Sequence, residues 1–200
     1  HAEPGPTGTE SRGAGLREIR TEWVLSLDAD YVVSDELLRS IREANPTAEV
    51  SGYSVAFRYA VFGRQLRGTL YPPREVLFRV AGAAHWDDGH TPRVRTAGRT
   101  DRLSGVIVHD DRKGLRRWFT SQWQYAELEA GKLRETPAAE LGLPDRLRLW
   151  IFPAPWAVLF LTLFGKGLLL DGWPGWYYVM QRVVAEAMLS LTLLDRKLRR

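Results

Sequence analysis

The sequence contains no cysteine, only two methionines and only four histidines among its 200 residues. Without cysteine, the chain cannot form a disulfide framework, a thiolate zinc site, an iron–sulfur cluster or a cysteine nucleophile. Residues 1–20 include no continuous apolar segment of the kind that forms the centre of a secretory signal. Any metal site in this chain must therefore use oxygen and imidazole ligands.

The charged residues are unevenly distributed along the chain. Residues 1–111 contain 14 basic and 16 acidic side chains, whereas residues 112–200 contain 14 basic and 8 acidic ones, with six of the eight tryptophans. An acidic first part suits a cation site, and a basic, tryptophan-rich second part suits an anionic surface. The basic residues flank apolar runs rather than line a polar stripe, so we expect a membrane surface as partner and no nucleic acid.

Composition divides the chain into three predicted parts. Residues 1–15 are rich in Gly, Pro, Thr and Glu, which indicates a loose leader. In residues 16–135, short apolar runs typical of strands are interspersed with amphipathic segments typical of helices, which predicts an α/β domain. Residues 136–200 are apolar and rich in tryptophan, which predicts a helical region that associates with membranes.

One uncharged run within the third part bears on whether this region spans a membrane or lies at its surface. Residues 149–164 include no charged side chain but contain Pro153 and Pro155. The run is shorter than the ~20 apolar residues that a transmembrane helix needs. Flanking basic residues and amphipathic aromatics favour interfacial attachment. A buried helical hairpin in a soluble oligomer is the alternative.

The local patterns predict the elements that carry the candidate site. Ser34 is the expected N-cap of a helix that ends at Asn45-Pro46, and Asp110 or Asp111 is the expected cap of the long helix. The segment over 82–98 is expected to be a polar loop. We predict strands over 22–27, 52–62, 75–80 and 103–108, and the long helix over 115–133.

Two carboxylates follow the first predicted strand. In an extended segment, Asp28 and Asp30 would point to the same side, and hard divalent cations prefer carboxylate oxygens. Strand ends in α/β sheets are also where ligands bind. The alternative is that the two residues only stabilise a turn, because such short motifs often arise without function.

Three further groups carry possible chemistry. His109 ends the 103–108 strand and can complete a metal shell or be an ordinary buried histidine. Asp87 and Asp88 precede a glycine, where they can act as a general base or form an ordinary Asp-Gly turn. Arg112 and Lys113, with two more arginines at 116 and 117, can bind phosphate, face anionic lipid or be a solvated basic patch.

Taken in order, these residues resemble the family 2 glycosyltransferases, in particular the branch that includes lipopolysaccharide core glucosyl- and heptosyltransferase-like enzymes. The resemblance spans roughly residues 15–195. It begins at the run Trp-Val-Leu-Ser-Leu-Asp-Ala-Asp and is carried by residues 23–30, 86–91, 103–113, 122, 125–126, 129–130 and 167–175.

The resemblance implies a fold and a reaction. The fold would be GT-A-like, a mixed sheet with flanking helices, followed by the apolar helical region. Asp30 would be the principal ligand of Mg²⁺ or Mn²⁺, with Asp28 near the metal or the donor ribose and His109 completing the shell. An inverting transfer would move a sugar from a nucleotide-sugar donor, also bound by Arg112 and Lys113, to a lipid-linked or envelope saccharide acceptor. The protein would lie in the cytoplasm, peripheral or monotopic at the inner face of the cell membrane.

The sequence departs from the family pattern at two points. Where many relatives have a His-Glu or Glu-Asp pair, this chain has His90-Thr91. Asp87 or Asp88 would then have to replace the carboxylate base, and Asp88 is favoured. The strands that normally precede the metal-binding strand in a GT-A fold are missing, so we expect a chain that is truncated at its N-terminus.

Two other functions follow from the same residues. A donor site that lacks its first strands predicts a catalytically incomplete module, derived from such an enzyme, that binds membrane surfaces. Metal-dependent hydrolysis of a nucleotide sugar is a third and weaker hypothesis.

Overall fold

The computed structural model describes residues 19–88, 91–110 and 112–199, apart from the side chains of 85–88, 91–93 and 95. The chain is mixed α/β. It divides into two compact units, one formed by the described parts of 1–57 and 71–109, and the other by the described parts of 58–70 and 110–200. No helix among the described residues is both long and apolar enough to cross a membrane.

The first unit is built on a sheet whose strands run in the order β1-β5-β3-β8-β2. Strand β3 continues into the second unit, where its end pairs with the short strand β4. A separate hairpin is formed by β6 and β7. The strands are β1 (Trp23–Leu25), β2 (Tyr31–Val33), β3 (Val50–Val61), β4 (Arg64–Gln65), β5 (Arg74–Arg79), β6 (Ala84–Asp88), β7 (Thr91–Arg95) and β8 (Arg99–Asp110).

The sheet is mixed rather than purely antiparallel. Strand β5 pairs antiparallel with both β1 and β3, and β2 pairs antiparallel with β8. By contrast, β3 and β8 run in the same direction. The backbone N–H of Arg99 donates to the carbonyl of Glu49 at the start of both strands, and that of Gly63, just after β3, donates to Oδ1 of Asp110 at the end of β8.

Helix α1 (Asp35–Glu43) begins as the sequence predicts. The Ser34 hydroxyl oxygen accepts hydrogen bonds from the backbone N–H of Leu37 at 3.3 Å and of Val106 at 3.0 Å. Ser34 therefore caps the helix and also joins it to β8. Leu37 is fully buried in a core that contains buried residues of β3, β5 and β8: Val50, Tyr53, Val55, Phe57, Val76, Leu77, Leu103 and Ile107.

The second unit is mainly helical. It contains α2 (Leu115–Glu135), α3 (Leu143–Leu149), α4 (Pro153–Phe160), a π-helical turn (Leu161–Gly165), a 3₁₀ turn (Leu168–Asp171) and α5 (Trp173–Leu198). Its core joins α2 to α5 through Ala126, Ala130, Leu133, Leu141, Leu189 and Leu193. The hydroxyl of the buried Tyr178 accepts a hydrogen bond from the backbone N–H of Leu70 at 3.2 Å, which fixes the chain after β4.

Three local predictions are wrong or incomplete. The expected loop over 82–98 contains the antiparallel β6–β7 pair, and Gly82 and Gly98 lie outside its two strands. The expected strand over 22–27 shrinks to Trp23–Leu25, which lies at the edge of the sheet and is only partly buried. Asp110 does not cap α2. Its carboxylate binds Gly63 N–H and Arg112 instead, and Gly114 is the N-cap.

Candidate functional site

Asp30 and His109 are in contact although 79 residues separate them in the sequence. The antiparallel register of β2 and β8 sets Tyr31 directly opposite His109, so the residue before Tyr31 reaches the histidine. Asp30 Oδ2 lies 3.2 Å from His109 Nε2, and His109 is buried while Asp30 is partly exposed. A carboxylate oxygen and an imidazole nitrogen therefore face the same point at the sheet edge.

Asp28 occupies a different position from the one that the extended-strand argument assumes. The chain from Asp28 to Tyr31 forms a turn, in which the Tyr31 N–H donates to the Asp28 carbonyl at 3.1 Å. The Tyr31 hydroxyl also hydrogen-bonds to the Asp28 side chain. Burial, followed by the nearby Tyr71 hydroxyl and the Asp28 carboxylate, raises the pKa of Tyr31 above its ordinary value. Tyr31 therefore remains a hydrogen-bond donor at neutral pH.

Asp30 and His109 are a fitting but partial donor set for a divalent cation. Among the described residues, no group of three or more histidine, aspartate or glutamate side chains is close enough together to hold one. Carboxylate oxygens suit Mg²⁺ and Mn²⁺, while imidazole suits transition metals better than Mg²⁺. Such ions commonly bind one or two carboxylates and take their other ligands from water and substrate phosphates. The pair can supply two ligands of such a shell.

Two aromatic rings pack against His109. The rings of Tyr31 and Tyr71 each lie 5.3 Å from the imidazole, both in edge-to-face geometry. Phe57 lies behind them, 5.2 Å from Tyr31 and 5.8 Å from Tyr71. We call Tyr31, Phe57 and Tyr71 the aromatic wall. Rings packed in this way restrict the orientation of the imidazole.

Arg74 adjoins the aromatic wall. Its guanidinium carbon lies 4.7 Å from the centroid of the Tyr71 ring, and its charge also acts on the Tyr31 hydroxyl. Neither the aromatic wall nor Arg74 was predicted from the sequence. Tyr31 follows the Asp28–Asp30 motif directly and was detectable by position. Tyr71 and Arg74 lie in a proline-containing loop and at a strand start, with no local pattern that indicates a site.

The other predicted residues belong to different parts of the structure. Arg112 Nη2 pairs with Asp110 Oδ2 at 2.7 Å in the second unit, and Lys113 is exposed just before α2. The backbones of Asp87 and Asp88 lie in β6, in register with Pro92 and Thr91, but their side chains are outside the described set. His90 and Asp111 also lie outside the described residues. The donor-binding and base assignments of these residues remain predictions.

Comparisons with known proteins add no family assignment. No protein-family model matches the chain, and no curated protein matches its sequence. The resemblance to family 2 glycosyltransferases therefore rests on the residues quoted above.

Proposed function

We propose that the chain belongs to an inverting glycosyltransferase of family 2 with a GT-A fold. It would move a sugar from a nucleotide-sugar donor to a lipid-linked or cell-envelope saccharide, with help from Mg²⁺ or Mn²⁺. The observation that carries the proposal is the 3.2 Å contact between Asp30 and His109. These are two of the three residues that the family resemblance assigns to the metal, and they meet at the end of a sheet strand.

Each residue of the site has a definite task in this reaction. Asp30 and His109 would hold the cation, which when bound stabilises the negative charge of the departing diphosphate as a Lewis acid. The aromatic wall fixes the His109 ring, and the Tyr31 hydroxyl orients the Asp28 carboxylate. A carboxylate from β6, Asp88 or Asp87, would accept the proton of the acceptor hydroxyl as it attacks the anomeric carbon.

Metal removal tests this proposal directly. We expect the chain to bind UDP-glucose when Mn²⁺ is present and to lose most of that binding in excess chelator, because the two protein ligands act through the cation. Isothermal titration calorimetry measures both conditions on one preparation. Equal binding with and without Mn²⁺, or no binding in either, would contradict the proposal.

The second unit supports a peripheral position at the membrane surface. Phe152, Trp156, Phe160 and Phe164 follow each other at intervals of four residues, from the N-cap of α4 to the π-helical turn, and each is at least 57% exposed. We call these four residues the aromatic stripe. Residues at this spacing lie on one side of a helix. A stripe of exposed aromatic rings fits insertion between lipid headgroups.

The charges near the aromatic stripe favour an anionic lipid surface. Residues 149–180 contain one basic side chain, Lys166, and one acidic side chain, Asp171. Lys166 is exposed, whereas the Asp171 side chain is only 9% exposed and binds both the backbone N–H and the guanidinium of Arg67. The stripe therefore presents aromatic rings and positive charge to its partner.

Vesicle sedimentation tests the membrane position. Replacing Phe152, Trp156 and Phe160 by serine should weaken binding to vesicles of phosphatidylcholine and phosphatidylglycerol roughly 10- to 100-fold, because three rings no longer enter the interface. The matched control replaces three exposed apolar residues elsewhere, Val32, Leu191 and Leu198, by serine. An equal loss in both triple variants would contradict the role of the aromatic stripe.

A second candidate function uses the aromatic stripe for membrane binding but includes no sugar transfer. The aromatic stripe and the two-ligand donor set also fit a catalytically incomplete module that binds membranes. Vesicle binding by a chain that binds no nucleotide sugar under any metal condition would favour this candidate over the transferase.

A further inference from the structure

Arg74 lies at the edge of the candidate site, and its guanidinium packs over an aromatic ring. The residue is the first of β5, is half-buried, and lies with its guanidinium 4.7 Å from the centre of the Tyr71 ring. Tyr71 in turn lies 5.3 Å from His109, the partner of Asp30. One aromatic ring thus separates the cation from the histidine of the candidate metal site.

The environment of Arg74 differs from that of neighbouring arginines in the first unit. Arg79 pairs with Glu22 and donates to the Val50 carbonyl at 3.0 Å, while Arg99 pairs with Asp101 at 2.9 Å. Among the described residues, no carboxylate lies within ion-pair distance of Arg74. Stacking on a ring holds a guanidinium plane in position and leaves the N–H groups at its edge able to donate.

This geometry matches the chemistry of a phosphate group. The planar guanidinium offers two parallel N–H donors that fit two phosphate oxygens, and such charged hydrogen bonds are stronger than neutral ones. A diphosphate is long enough to contact two neighbouring cationic groups at once. One of these would be the metal at Asp30 and His109, and the other would be Arg74.

We propose that Arg74, held over the Tyr71 ring, binds a phosphate of the nucleoside diphosphate whose metal is bound by Asp30 and His109. The inference rests on the proposed function, since it assigns to Arg74 one part of the donor in that reaction. It differs from the sequence-based expectation, which assigns phosphate binding to Arg112 and Lys113.

Calorimetry that compares the binding of UDP with that of uridine, which has no phosphate group, tests the assignment. In Mn²⁺, Arg74→Gln should weaken UDP binding roughly 10- to 100-fold, which is the range for one hydrogen-bonded charge contact, while uridine binding stays unchanged. The UDP affinity of Arg74→Lys should lie between that of Arg74→Gln and that of the unsubstituted protein, because lysine keeps the charge and loses the paired donors. Arg39→Gln, on the exposed face of α1, is the matched control and should behave as the unsubstituted protein.

The outcomes separate this inference from the proposed function. UDP binding by Arg74→Gln within twofold of the unsubstituted protein overturns the inference, and the metal dependence of UDP-glucose binding then still supports the transferase. If the unsubstituted protein binds no UDP, inorganic pyrophosphate becomes the probe. Pyrophosphate binding that weakens in Arg74→Gln but not in Arg39→Gln supports the phosphate site alone. Absence of pyrophosphate binding, or an equal affinity in all variants, overturns it.

Discussion

Asp30→Ala is expected to reduce Mn²⁺-dependent UDP-glucose binding by roughly 100-fold or more. Loss of groups that only orient metal ligands already costs about 10- to 100-fold in metal affinity, and Asp30 would contact the cation itself. The substitution removes the carboxylate whose Oδ2 lies 3.2 Å from His109 Nε2, which is one of the two proposed metal ligands. Calorimetry in Mn²⁺, repeated in chelator, isolates the part of the affinity that depends on metal.

Two companion variants separate metal binding from structure. Asp30→Asn keeps the shape and a hydrogen-bonding oxygen near His109 but removes the charge, so it should lose metal-dependent binding and retain the fold. Asp35→Ala removes an exposed carboxylate from the first turn of α1 and should leave binding unchanged. Metal-dependent binding by Asp30→Ala within twofold of the unsubstituted protein would show that the residue is not a ligand.

Arg148→Ala is expected to destabilise the second unit by about 3–5 kcal/mol. The guanidinium joins α3 to α5 through two hydrogen bonds to Glu186, from Nη2 at 2.7 Å and from Nε at 3.1 Å. Its Nη1 lies 3.0 Å from Asp145 and 3.6 Å from Glu129 on α2. The Glu129 and Glu186 side chains are only 12–13% exposed. Removing the arginine leaves these carboxylates without their central cation.

The protonation of Arg148 follows from the same contacts. Burial disfavours the charged form, but the hydrogen bonds to Glu186 and the charges of Glu186, Glu129 and Asp145 outweigh it and raise the pKa of Arg148 above its ordinary value. The arginine therefore stays charged at neutral pH. The network is consequently sensitive to the loss of the side chain rather than to its titration.

Urea denaturation followed by far-ultraviolet circular dichroism measures the effect on this largely helical unit. Arg148→Lys should give an intermediate loss, because it keeps one charge and loses the two-point contact with Glu186. Arg134→Ala, an exposed residue in the last turn of α2, should change the free energy of unfolding by less than about 0.5 kcal/mol. Similar values for Arg148→Ala and Arg134→Ala would contradict the central role of the network.

Local signals were sufficient for the elements that depend on neighbouring residues. The alternation from Tyr53 onward predicts β3 within two residues at each end, because buried side chains must recur at every second position of a half-buried strand. Ser34 predicts the start of α1, since a hydroxyl at that position satisfies a backbone N–H of the first turn. The start of α2 at Leu115 also agrees with the prediction.

Local signals failed where distant groups compete for the same atom. Asp110 lies near the start of α2 and is a plausible cap by sequence. Its carboxylate instead binds Gly63 N–H and Arg112, both in the second unit. A cap assignment from sequence cannot include a hydrogen-bond donor that lies 47 residues away along the chain.

The sequence by itself determined which residues can do chemistry: oxygen and imidazole ligands, two carboxylates after an apolar run, and aromatic residues beside basic ones in the second part. Only the tertiary structure decided which of them meet. The register of β2 on β8 joins Asp30 to His109, and packing brings Tyr71, from the loop before β5, against the same histidine. The physical reason is that these contacts join residues about 30 to 80 positions apart, where strand pairing and side-chain packing set the distances and no local periodicity records them.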